Sequence, residues 1–183
     1  MKLHLGCGHK ILEGYVNVDL YGNPDVIHDL EEFPYPWEDN SVDEILAEHV
    51  LEHIGQSTKV YFGIIKELYR ICKKDAIIRV EVPHPRWDAY LIDPTHIRAI
   101  TPESFMLFDQ EYNQECIDNN SATSTLGIYL DVNFKVQNID YDVDPKYLTQ
   151  LQKGLIDEHK FWQYFNERNN VVNNVRFELL VIK

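Results

Sequence analysis

Leu3-His4-Leu5-Gly6-Cys7-Gly8, followed by Tyr15-Val16-Asn17-Val18-Asp19, is the stretch that decides the fold of this chain. An apolar strand runs into a glycine turn, and a second short strand ends on a carboxylate. A doubly wound α/β domain holds a nucleoside-bearing cofactor with this local pattern. Glycine lets the backbone approach a ligand closely, and the acidic residue accepts the ribose hydroxyls. A glycine pair alone also makes an ordinary tight turn, so the reading depends on the residues that follow.

Working outward, residues 2–6, 15–19 and 25–28 read as the first three strands. The links from Gly8 to Tyr15 and from Leu20 to Pro24 are short, whereas parallel strands ordinarily need a crossover of about a dozen residues or more. The helices that normally fill those links are therefore reduced to turns, and one flank of the sheet is thinly covered. Asp43–Ala47 gives a fourth strand and residues 49–54 a short helix. Ser57 caps a longer helix through Cys72, with Val60, Ile64, Ile65, Leu68 and Ile71 at helical spacing. The β-branched run Ala76–Val82 suits a buried central strand. From Pro83 to Gly127 the pattern turns irregular and aromatic, reading as a lid or substrate-side insert, with a capped helix start at Thr101-Pro102. Its aromatic residues suit either the core of a lid or a substrate cage. Asn133–Asp142 resembles a strand, Asp144-Pro145 opens a helical insert over 145–167, and Arg176–Ile182 is the last strand. The whole of 1–183 reads as one domain.

Composition narrows the function classes. The 183 residues carry a formal net charge of −13, which repels phosphate backbones and makes a nucleic-acid substrate unlikely. Cys7, Cys72 and Cys116 are an odd number without paired spacing, against a disulfide framework or a structural zinc site. No run approaches membrane-span length and residues 1–15 lack a secretory apolar stretch, so a cytoplasmic location is expected.

With these pieces in order, the chain resembles a class I S-adenosylmethionine-dependent methyltransferase of the small type related to ubiquinone-biosynthesis enzymes. The resemblance is carried by Leu3–Gly8, Gly14–Asp19, Asp29-Leu30 with Pro34-Tyr35-Pro36, Asp39–Ile45, His49–Ile54 and Arg79–Pro83, and is joined by Asp93–His96 and Thr101–Phe105. It implies a Rossmann-like α/β fold: a mostly parallel seven-stranded sheet whose last strand is antiparallel. It also implies S-adenosylmethionine as cofactor. Backbone around Gly6, Cys7 and Gly8 would face the methionine part, with Cys7 as a small filler. Asp19 would accept the ribose hydroxyls, Leu30 would pack on the adenine, and Glu48-His49 would lie at the end of the fourth strand. Asp29 either accepts the adenine amino group or caps a turn.

His49 and His53 stand four apart, a spacing that can bind metal, but the zinc-protease order H-E-x-x-H is absent, so no metal is expected. His84, just past the fifth strand, and His96 in the insert are the candidate general bases; each also reads as a loop histidine bonded to backbone. Methyltransferases of this type usually carry helices before the first strand, and here Met1 abuts it. Cover would come from 83–127, from 145–167 or from a partner subunit, which makes a homodimer possible. Methyl transfer to a small-molecule or glycan-type acceptor is the expected function. A non-catalytic cofactor-binding partner subunit is the alternative, and a nicotinamide-dependent oxidoreductase is disfavoured by the short first crossover.

Overall fold

Short-range sequence signals set most of the elements seen in the computed structural model, which describes residues 1–183. The strands are β1 (Lys2–Leu5), β2 (Val16–Asp19), β3 (Val26–Ile27), β4 (Val42–Glu48), β5 (Cys72–Pro83), β6 (Phe134–Val143) and β7 (Val172–Val181). They form one sheet in the order β3-β2-β1-β4-β5-β7-β6. Neighbours from β3 to β5 pair in parallel. β7 inserts antiparallel between β5 and β6. This is the expected seven-stranded Rossmann-like sheet with an antiparallel last strand.

Helix α1 (Thr58–Ile71) starts where the Ser57 hydroxyl accepts from the Val60 N–H at 3.2 Å. It buries Ile64, Ile65, Leu68 and Ile71 against one face of the sheet. Cys72 is already extended and begins β5, so the helix stops one residue before its expected end. The remaining helices are α2 (Asp88–Ile92), α3 (Pro102–Met106), α4 (Gln110–Asp118), α5 (Leu126–Leu130), α6 (Pro145–Gln152) and α7 (Glu158–Glu167). None is long and apolar enough to cross a membrane.

Four sequence-based expectations change. Residues 49–54 form turns, because His49 adopts φ 51°, a left-handed conformation that cannot begin a helix. The helix expected over 145–167 divides into α6 and α7, with Gly154 at φ 65° between them and Asp157 capping the second. The last strand begins at Val172 rather than Arg176. The central strand β5 is not buried on both faces, since Arg79 is exposed and Glu81 only half-buried.

That last correction has a single cause. No helix lies between β1 and β2 or between β2 and β3. The sheet therefore has one covered face and one open face. Leu3, Leu5, Ile45, Ala47, Ile78, Val80, Phe177 and Leu179 pack under α1 together with Phe105, Phe108 and Phe134. The alternate residues form ion pairs across strands on the open face: Arg79 with Glu44 and Glu178, Arg176 with Glu81 and Asp140, and Lys2 with Glu44. Parallel sheets ordinarily have both faces covered.

The aromatic segment also divides. Phe105 and Phe108, in and just after α3, are fully buried and pack against Phe177 and Tyr61 with tilted rings, so this part belongs to the main core. Residues 84–98 lie at the carboxyl end of the sheet instead. There, the backbone N–H groups of Ile97 and Arg98 donate to the Glu52 carbonyl, and Arg98 donates to the Gly55 carbonyl.

Candidate functional site

Gly6 leaves β1 at φ 64°, and a Cβ there would lie 2.5 Å from Val50 Cγ2. Glycine is thus required both by conformation and by the close approach of the turn after β4. The turn passes the chain to the end of β2, where the Asp19 carboxylate accepts from the Gly8 N–H at 2.8 Å and from the Tyr21 N–H at 2.9 Å. A carboxylate has about four lone-pair directions, so two remain for a ligand's hydroxyls. The Cys7 N–H donates to the Val18 carbonyl. Two of the backbone donors expected to face the methionine part, those of Cys7 and Gly8, are therefore already spent within the chain.

The polar side chain that shapes this corner was not singled out from the sequence. Asn17 of β2 is buried, and its amide oxygen accepts from the Leu12 N–H while its amide nitrogen donates to the Leu12 carbonyl and to Asp25. His4 of β1 places Nδ1 3.2 Å from the same oxygen. These bonds tie down both helix-free links, and hydrogen bonds from the Asn17 backbone and side chain hold the Asp25 carboxyl below its ordinary range.

A cavity of about 350 Å³ opens at the carboxyl ends of β1, β2 and β4. Gly6, Asp19, Asp29, Leu30 and His49 of the expected cofactor set line it, joined by His28 and His53. Its size falls within the ~300–1,000 Å³ of small-molecule pockets, and its position is where open α/β sheets hold ligands. Asp29 uses one oxygen to accept from the Glu31 N–H at 2.8 Å, the turn-capping role. His28 packs its ring edge-on to Tyr35 and Trp37 behind this wall, and its Nε2 is buried with no partner in the chain. His49, held by its own N–H on the Glu81 carbonyl, sits in left-handed backbone at the edge of the cavity, where strain commonly accompanies function.

A second cavity of about 320 Å³ adjoins the first through Gly6 and His49, and its wall adds His4, Cys7, Lys10, Glu48 and Glu81. Burial, then the negative Asp19, push the Cys7 thiol above its ordinary value, which suits an apolar filler rather than a nucleophile.

The two histidines expected as bases lie apart. His84 lines a third cavity of about 340 Å³ with Arg86, Glu103, Tyr141 and Phe165, sharing no residue with the first. Burial and the neighbouring Arg86 lower its pKa, and its Nδ1 accepts from the Arg86 N–H at 3.3 Å. Helix α7 closes this cavity, since Arg86 donates to the carbonyls of Phe165 and Asn166. His96 instead packs on His53, ring centroids 4.6 Å apart, behind the first cavity.

Comparison with known proteins yields no matching family model and no matching curated protein. Solved structures do match. A SAM-dependent methyltransferase from Archaeoglobus fulgidus aligns with a TM-score of 0.63 at 18% identity, covering 98% of this chain and 85% of that one. The Burkholderia thailandensis 1,6-didemethyltoxoflavin-N1-methyltransferase, with bound 1,6-didemethyltoxoflavin and S-adenosylhomocysteine, aligns at 0.54 and 11% identity over 100% of this chain and 71% of that one. The complex of the Haloferax volcanii Trm112 methyltransferase activator with its methyltransferase aligns at 0.54 and 12% identity, covering 100% and 82%. What is shared with these neighbours is the class I methyltransferase fold.

Proposed function

We propose that this chain is an S-adenosylmethionine-dependent methyltransferase acting on a small-molecule or glycan-type acceptor. The observation that carries the reading is the cavity at the carboxyl ends of β1, β2 and β4. There, the glycine turn, Asp19, Asp29, Leu30 and His49 meet. In this reading Asp19 would hold the ribose hydroxyls, Leu30 would pack on the adenine, and Asp29 would offer a polar contact beside it. Bound there, S-adenosylmethionine would supply an electrophilic sulfonium methyl group.

The chain's own part is alignment, exclusion of water and, for a hydroxyl acceptor, proton removal. His49 lines both the cofactor cavity and the adjoining one, so it is placed to take the proton as the acceptor oxygen bonds to carbon. His84 serves only an acceptor that reaches into its separate cavity, and His96 acts through His53 rather than by touching the acceptor. The segment 93–98 provides cover over residues 52–55.

Calorimetry with S-adenosylhomocysteine tests the reading. Micromolar binding is expected, weakened ~10- to 100-fold in Asp19→Ala, since hydrogen bonds to a charged group are worth about 1.5–3 kcal/mol each. No binding, or equal binding in the variant with an unchanged circular dichroism spectrum, rejects it. The Haloferax complex supports a second reading, a cofactor-binding subunit of a larger assembly; binding without turnover over a broad acceptor panel would favour it.

A further inference from the structure

The geometry points to a binding site for one divalent transition-metal ion, with zinc as the best fit, formed by Glu52, His53 and His96. Glu52 is only 1% exposed, and neither carboxylate oxygen has a hydrogen-bond partner. An unpaired buried carboxylate costs several kcal/mol, a cost that a bound cation at this position would offset. One carboxylate oxygen, one His53 nitrogen and one His96 nitrogen lie within 4.8 Å of one another.

Hydrogen bonding behind the rings fixes the tautomer that each neutral imidazole takes. His96 Nδ1 lies 2.7 Å from the Tyr90 carbonyl, which can only accept, so Nδ1 carries the proton and Nε2 of the neutral ring is a bare lone pair. The Thr95 hydroxyl donates to Asp93 at 2.6 Å, and its oxygen therefore accepts from His53 Nδ1 at 2.8 Å. His53 Nε2 is left bare in the same way, 3.9 Å from Glu52 Oε1. With both rings neutral, three lone-pair donors converge, and each imidazole is oriented from behind, the arrangement that metal-ligating histidines show.

Two imidazoles and a carboxylate with an open position are a zinc donor set, and the nitrogens disfavour magnesium and calcium. Ligands bound at ~2.1 Å stand roughly 3.4 Å apart around a tetrahedral ion, so the 93–98 segment must draw inward slightly. The expectation of no metal rested on spacing along residues 48–53; the third ligand comes from a distant segment. The competing occupant is a proton on His49, whose Nδ1 lies 3.4 Å from Glu52 Oε1. Because His53 lines the first cavity, the open position would take an acceptor oxygen; this clause alone rests on the methyltransferase reading.

The test is calorimetric titration of the chelator-stripped chain with zinc chloride alone, beside magnesium chloride. One zinc per chain and no magnesium response are expected. Binding should weaken at least tenfold in Glu52→Gln and in His96→Gln, and be unchanged in His159→Gln on α7. Thr95→Val keeps all three ligands and should weaken zinc two- to tenfold, which covers the case of a ligand variant that fails to fold. Less than a tenth of an equivalent of zinc, or equal affinity in every variant, overturns the site. S-adenosylhomocysteine titrated into the stripped chain separates the two proposals: its failure with zinc binding intact rejects the methyltransferase reading alone.

Discussion

The two faces of the sheet solve the same problem in opposite ways, and strand β7 shows both within three residues. Phe177 points into the covered face and is 1% exposed, packed on Phe105. Arg176 and Glu178 on either side point to the open face, where Arg176 forks onto both oxygens of Glu81 at 2.8 and 3.1 Å. The covered face is held by apolar burial and close packing. The open face, with no helix to bury it, is made tolerable to water by ion pairs running between strands. Most of the stability therefore resides on one face, while the other stays available to solvent.

The largest expected effect lies on the covered side. Phe177→Ala should lower unfolding stability by about 3–5 kcal/mol in urea titration, because it removes an aromatic ring and leaves a cavity. Next comes Gly6→Ala, which combines left-handed strain with a collision against Val50 and should cost about 2–4 kcal/mol in the same assay. Asn17→Ala strips both helix-free links of their shared hydrogen bonds and should cost about 1–3 kcal/mol. Arg176→Met on the open face should cost no more than about 1 kcal/mol, since its side chain is 46% exposed. If Arg176→Met costs as much as Phe177→Ala, the contrast between the faces is broken.

The finest test is pH. Burial raises the Glu44 pKa, but hydrogen bonds from Tyr15, Arg79 and Lys2 outweigh it and hold the group at about 2, below its ordinary 4.5. A carboxylate whose pKa falls on folding stabilises the fold above its unfolded value and loses that contribution as pH drops through the folded one. The wild-type chain should therefore lose part of its stability between pH 4.5 and about 2. Glu44→Gln should reduce that slope in urea titrations repeated across the window, whereas an unchanged slope would mean the open-face network contributes nothing.

The glycine turn, the acid at the end of β2 and the cap of α1 were legible because each follows from short-range sterics or a hydrogen bond closed within a few residues. The open face was partly legible: the missing crossover helices showed in the short links. Yet the run Ala76–Val82 reads as a buried central strand, although Arg79 and Glu81 alternate through it and face the open side. The position of His84 just past the fifth strand was legible, but its enclosure by α7 and Arg86 in a cavity of its own was not.

Sequence by itself determined the strands, the Gly6-Cys7-Gly8 turn and the carboxylate of Asp19, because local backbone preference and alternation act over a handful of residues. Only the tertiary structure decided that β7 enters between β5 and β6, that one sheet face stays open, and that Glu52 is buried against His53 and His96. Those outcomes depend on contacts between distant segments. The left-handed turn at His49 and the 93–98 segment laid over it set the surroundings of Glu52, and no pattern within residues 48–53 encodes that packing.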